Sequence, residues 1–185
     1  MKISAQGKGE DGMATLEKLE FKLLGPCRFI GKSVYARAGA LQSGEIFGHL
    51  WGISQPVFEK LDSMTEYLTT ERNRVALLTG DKYDDKTQLL GYTVGRFMRA
   101  DTPVPPMLDF FDIPQVYMAQ GWVRGEFDDM VENANQVILE AMKQQNVYVP
   151  YECGPFFAAE VYSKDTIPQS GVDSIFGFYL PCKKR

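Results

Sequence analysis

The sequence predicts an α+β domain built from two copies of a β-α-β-β unit. Three observations carry that prediction. The period of the apolar residues switches between 2 and 3.6 along the chain, as it does where strands alternate with helices. The order strand, helix, strand, strand occurs twice. Short matches between the halves keep a nearly constant offset: Val34-Tyr35 matches Val116-Tyr117 at 82, and Gly44-Glu45 matches Gly125-Glu126 at 81. An offset near half the chain length, kept across several elements, is the mark of internal duplication, against the plainer alternative of an ordinary α+β domain with accidental matches. In this alignment Tyr35 and Tyr117 are equivalent positions.

Residues 1–17 read as a polar, Gly-rich, disordered leader, and residues 18–185 as one domain with halves at about 18–100 and 106–184. Residues 19–38 alternate as a strand, broken at Gly25-Pro26 and resuming at Phe29. Residues 44–64 read as a helix with Phe47, Leu50, Trp51, Phe58 and Leu61 near one face. Gly52 and Pro56 predict a kink or two pieces there. Residues 74–83 and 88–98 are two strands around the turn Asp84-Asp85-Lys86, and Thr102-Pro103-Val104-Pro105-Pro106 is a stiff linker. In the second half, 108–124 is extended and 126–145 is the cleanest helix. Its apolar stripe is Phe127, Met130, Val131, Ala134, Val137, Ile138, Ala141 and Met142, with Asp128 and Asp129 in the first turn, where the helix dipole favours anions. Residues 155–163 and 174–182 close the unit as two strands.

Composition excludes several classes of function. The chain has 185 residues, of which 44% are hydrophobic and 12% aromatic, enough to fill a sizeable core. Its net charge of −4 and the absence of a clustered Lys/Arg footprint argue against a nucleic-acid partner. Cys27, Cys153 and Cys182 form no CxxC pair, and His49 is the single histidine, so neither a disulfide framework nor a metal site is expected. No signal peptide and no membrane-spanning run is visible. The expectation is a soluble, cytoplasmic, thiol-reduced protein without a cofactor. The serines lack the elbow of the hydrolases, Gly7-Lys8-Gly9 does not follow a strand, and Asp81, Asp84 and Asp85 read as a solvated turn, without the spacing of a calcium loop.

The most informative residue is Glu160, in Phe156-Phe157-Ala158-Ala159-Glu160-Val161-Tyr162. Side chains alternate along a strand, which puts Phe157, Ala159 and Val161 on one face, suited to a helix stripe. Phe156, Ala158, Glu160 and Tyr162 fall on the other. An ionised carboxylate among rings is costly unless paired. It sits half-exposed at a cleft, or keeps a raised pKa and awaits a cation, or is an edge-strand acid paired with a surface Lys or Arg. Ring faces would add about 0.5–2 kcal/mol per contact to a bound cation. Tyr92, Trp51, Tyr35, Tyr117 and Trp122 are further candidates for an aromatic-lined hollow, against the alternative that each simply fills the core.

In order and spacing, several short motifs resemble the gyrase-inhibitor-like (GyrI-like) effector-binding domain, also found at the C-terminus of multidrug-responsive transcription activators. They are Leu50-Trp51 in the first helix, Tyr92-Thr93-Val94-Gly95 in a strand, Gly154-Pro155 followed by Glu160-Val161-Tyr162, and the closing Tyr179-Leu180-Pro181-Cys182-Lys183. The resemblance spans residues 19–184. It implies two pseudo-symmetric halves whose antiparallel sheets form a ligand cleft, with helices packed on one side. Glu160 matches the family's buried glutamate that reads cationic ligands, and Trp51 and Tyr92 match positions bordering the cleft. Ala158 and Ala159 separate Phe157 from Glu160, where the family more often has Phe-Glu adjacent, and Gly52 and Pro56 interrupt the first helix. Both affect the pocket's shape. The implied function is a stand-alone effector-binding protein for planar, hydrophobic, cationic compounds, linked to transcription regulation or drug protection. The ligand-binding set is Glu160, Trp51, Tyr92, Tyr35, Tyr117, Trp122, Phe156 and Tyr162. The alternative is a hydrolase of strained cyclopropane electrophiles, with Glu160 orienting water and Tyr92 or Tyr162 donating a hydrogen bond. A protein partner such as a topoisomerase rests on the resemblance alone.

Overall fold

The computed structural model describes residues 14–37, 45–69, 73–152, 154, 156–163 and 173–185. Residues 1–13, Gly44, the Phe47 side chain, Cys153 and Pro155 lie outside them. Strand β1 (Thr15–Leu24) starts inside the stretch read as leader, because Thr15 and Leu16 already pair with Arg124 and Val123. Gly25, at φ +80°, turns the chain into β2 (Cys27–Arg37), a conformation that favours glycine.

The first helical region forms two pieces, α1 (Glu45–Ile53) and α2 (Gln55–Ser63), separated at Ser54, with Pro56 in the first turn of α2. Strands β3 (Arg74–Thr79) and β4 (Leu89–Arg99) follow. Between them, the Asp84 carboxylate accepts from the backbone N–H groups of Lys86 and Thr87, as in an Asx turn. After the proline-rich linker come β5 (Asp109–Ile113), β6 (Val116–Glu126), α3 (Phe127–Gln145), the short β7 (Tyr148–Pro150), β8 (Phe156–Tyr162) and β9 (Asp173–Lys184). Helix α3 keeps Asp128 and Asp129 in its first turn and Lys143 in its last. It ends on left-handed Asn146, whose N–H bonds the Met142 carbonyl.

The strands form one antiparallel sheet in the order β1-β6-β9-β8-β3-β4-β2-β5, with β7 beside β9. Each half contributes three of its strands as a mirrored block, β2-β4-β3 and β8-β9-β6, and the blocks meet where β3 pairs β8. Among the described residues the three α-helices lie on one face. Helices α1 and α2 cover β2 and β4 through Leu50, Val57, Phe58 and Leu61. Helix α3 covers β1, β6 and β9 through Met130, Ala134, Ile138 and Met142. The opposite face holds a second core, of Phe29, Val75, Leu77, Phe97, Met118, Phe156, Ala159, Val161 and Tyr179 among others.

The duplication is real in architecture, but its register differs from the sequence matches. The bounds of β2 and β6 align Cys27 with Val116, an offset of 89 (116 against 27). The pairs Arg28↔Met98 and Tyr117↔Cys182 then fix an offset of 84 for β4 on β9 (182 against 98). The pairs Val75↔Gly95 and Ala159↔Tyr179 fix 84 for β3 on β8 (159 against 75). Tyr35 therefore corresponds to Arg124, not to Tyr117. Two-residue identities are too short to set a strand register when a one-residue slip exchanges the faces.

Candidate functional site

With these offsets Ala76 overlays Glu160, and the two are also direct cross-strand neighbours. The acid thus stands at the centre of the sheet, beside the pseudo-two-fold axis that relates it to Ala76. Strand β8 is internal, flanked by β3 and β9, so the edge-strand alternative fails. Glu160 is only 6% exposed, which also excludes a half-open position.

The faces of β8 are the reverse of the alternation argument. Ala158, Glu160 and Tyr162 point to the helices, whereas Ala159 and Val161 join the opposite core. Phe156 joins that opposite core too. The cause is a register shift: Leu78 pairs Ala158 but Thr79 pairs Phe156, and the extra residue, Phe157, is 41% exposed.

Around Glu160 the sheet and α1 build a small polar network in an aromatic shell. The Tyr92 hydroxyl donates to Glu160 Oε2 at 2.6 Å, and the Tyr162 hydroxyl donates to the same oxygen at 2.7 Å. Trp51 Nε1–H donates to the Tyr92 oxygen at 3.1 Å. The Trp51 ring stands edge-on to Tyr162 at 5.0 Å, and Tyr162 stacks on Phe176 at 5.7 Å. Phe178, the cross-strand neighbour of Glu160, packs edge-on to Phe176 at 6.2 Å. Among the described residues no side chain donates to Oε1 and no cation pairs with the carboxylate.

Burial pushes the Glu160 carboxyl above its ordinary range, against the two phenol hydrogen bonds, which favour the ionised form. Burial and the nearby Glu160 charge hold Tyr92 and Tyr162 well above the ordinary tyrosine value, so both remain donors. The arrangement leaves one carboxylate oxygen without a described side-chain donor, inside a shell of aromatic rings.

The other sequence candidates lie apart. Tyr35 donates to Asp81 at 3.0 Å beneath Lys82, whose Nζ sits 3.6 Å from the ring centroid. Burial and Asp81 raise the Tyr35 phenol to about 12. Tyr117 packs on Tyr148 at 5.3 Å, beside α3. Trp122 meets Tyr179 edge-on at 6.3 Å, on the opposite face. His49 is exposed on α1. Sequence reasoning missed Phe176 and Phe178, whose period-2 spacing was a usable signal. It also missed what surrounds Phe58, which stacks on Trp51 at 6.0 Å and carries Arg74 and Arg96 at 5.0 and 5.4 Å from its centroid. A cleft on the opposite face is lined by Leu24, Asn73, Val75, Phe97, Gln120, Val161 and Tyr179.

Comparison with solved structures shows a fold that this chain shares with them. The structure of SAV2435 bound to tetraphenylphosphonium matches with a TM-score of 0.58 at 12% identity, over 89% of this chain and 93% of that one. The EcmrR C-terminal domain matches with a TM-score of 0.53 at 14% identity, over 90% and 98%. EcmrR in its DNA complex matches with a TM-score of 0.57 at 12% identity, over 94% of this chain, which spans 59% of the EcmrR chain. No protein-family model and no curated protein sequence matches the chain. Among the described residues no helix is long and apolar enough to cross a membrane.

Proposed function

We propose that this chain is an effector-type small-molecule-binding protein that holds a planar or ring-bearing organic cation against Glu160. One observation carries the reading: a buried carboxylate that no described cation pairs, set among Trp51, Tyr92, Tyr162 and Phe176, with one oxygen unused by described donors. Removing a charge from water is costly unless a partner compensates it, and aromatic faces attract the same kind of partner. The tetraphenylphosphonium named for SAV2435 is a ligand of this chemistry, and EcmrR's DNA complex supports a link to transcription regulation. Entry of a ligand requires Trp51 to move aside, since its ring and N–H cover Tyr92 and Tyr162.

The test compares a cationic dye with a neutral dye of like size. Glu160→Gln keeps a hydrogen-bond acceptor for both phenols and removes the charge. It is expected to weaken the cationic dye about tenfold or more and the neutral one about twofold at most. Equal loss for both would remove the electrostatic part of the reading. The hydrolase alternative would use the same acid, with Tyr92 or Tyr162 as donor. Consumption of a cyclopropane electrophile that stops in Glu160→Gln would favour it over binding alone.

A further inference from the structure

We propose that the cation enters this site in exchange for a proton: the empty site holds Glu160 as the neutral acid, and the proton leaves to solvent as an organic cation takes its place. This rests on the binding reading above and adds the species that the ligand displaces.

Among the described residues none of the acid's immediate neighbours carries a charge, and burial acts against the two phenol hydrogen bonds that favour the ionised form. On β3 the cross-strand neighbour is Ala76, and on β9 it is Phe178, neither of which carries charge. Tyr92 of β4 and Tyr162 of β8 approach as neutral phenols. From α1 the approaching group is the neutral Trp51 indole, while His49 is exposed. Helix α3 presents Met130, Ala134, Ile138 and Met142 to the sheet. Among the described residues of β2, β3 and β4, three arginines and Lys32 share the helix-facing side of the sheet, and all are engaged elsewhere: Arg28 pairs with Asp112, and Lys32 donates to the Met107 carbonyl. Arg74, the cross-strand partner of Tyr162, reaches Gln55 and lies over Phe58. Arg96 pairs with Asp62 at 2.9 Å and donates to the Asn73 carbonyl. Burial without a counter-charge favours the protonated acid, and the direction of the Glu160 shift agrees.

The sign follows from linkage. A bound cation favours the carboxylate, so its affinity falls as pH drops through the raised Glu160 pKa and is flat above it. Below that point one proton is released per cation bound, and the apparent affinity changes about tenfold per pH unit.

The experiment is calorimetry of tetraphenylphosphonium binding across the carboxylate range, in two buffers of different ionisation enthalpy. It is paired with carboxyl carbon NMR of the ligand-free protein, with the Glu160 signal assigned by Glu160→Gln. The expected result is about one proton released at the acid end, none at the alkaline end, and a Glu160 resonance that titrates above the ordinary glutamate range. Binding with no proton release at any pH overturns the exchange and leaves the binding reading standing. A Glu160 that titrates in or below the ordinary range overturns the exchange even without ligand. No binding at any pH, by wild type or Glu160→Gln, overturns the binding reading and the exchange with it.

Discussion

The two halves of the sheet share one plan and differ at its centre. In the first half the helix-facing positions nearest the axis on β3 and β4 include Ala76, Leu78, Tyr92 and Val94. Their counterparts in the second are Glu160, Tyr162, Phe176 and Phe178. The acid therefore occurs on one side of the axis only, and each half supplies one of the phenols that serve it. The opposite face differs as well. Gly31 and Gly95 pair so closely that a Cβ on either would strike the other strand's backbone, whereas the counterparts Gln120 and Tyr179 are full-sized and line the cleft there. The helices differ most. Helix α3 is continuous and packs flat through an apolar stripe, while the matching segment is cut at Ser54 and sends Trp51 over the acid. A duplicated scaffold can thus keep its strand pairing while the chemistry gathers in one asymmetric spot.

Trp51→Ala strips the first half of the feature that most separates it from the second. It removes a ring in contact with Phe58 and Tyr162 and the donor to Tyr92. Stability is expected to fall by about 2–4 kcal/mol in a denaturant titration, with faster ligand association because the acid is uncovered. Slower association would mean that Trp51 guides the ligand and does not cover the site.

The phenols sharpen the comparison at smaller amplitude. Tyr92→Phe leaves Trp51 Nε1–H without its acceptor as well as removing a donor to Glu160, and should cost about 1–3 kcal/mol. Tyr162→Phe removes one donor and should cost less. Each raises the Glu160 pKa further, because a hydrogen bond that favours the ionised form is gone. The shift is readable by carboxyl carbon NMR. Tyr35→Phe, at a position held by Asp81 and Lys82, should change ligand affinity by about twofold at most. A larger loss would extend the site beyond the acid's neighbours.

Glu160 was legible in the sequence because a lone charge in an apolar run demands a partner. Trp51 and Tyr92 were legible through the family resemblance, and the element order through the change of period. The face of Phe156 was not, because the bulge at Phe157 inverts the alternation before Ala158, and which face of β8 the helices cover is set by the fold around it and not by the residue types of the strand. The repeat register was not, because Tyr35 and Tyr117 match as letters while the hydrogen-bond ladder sets Tyr35 against Arg124. The separation of Tyr117, Trp122 and Phe156 from the acid follows from strand order and face, which ring content alone does not encode.

The central claim is that the acid beside the axis is where a cation binds. A crystal structure of the chain grown with tetraphenylphosphonium tests it most directly. The account predicts the cation in contact with Glu160, with Trp51 displaced from Tyr92. A cation found instead in the cleft beside Gln120 and Tyr179, with Trp51 still bonded to Tyr92, would contradict it.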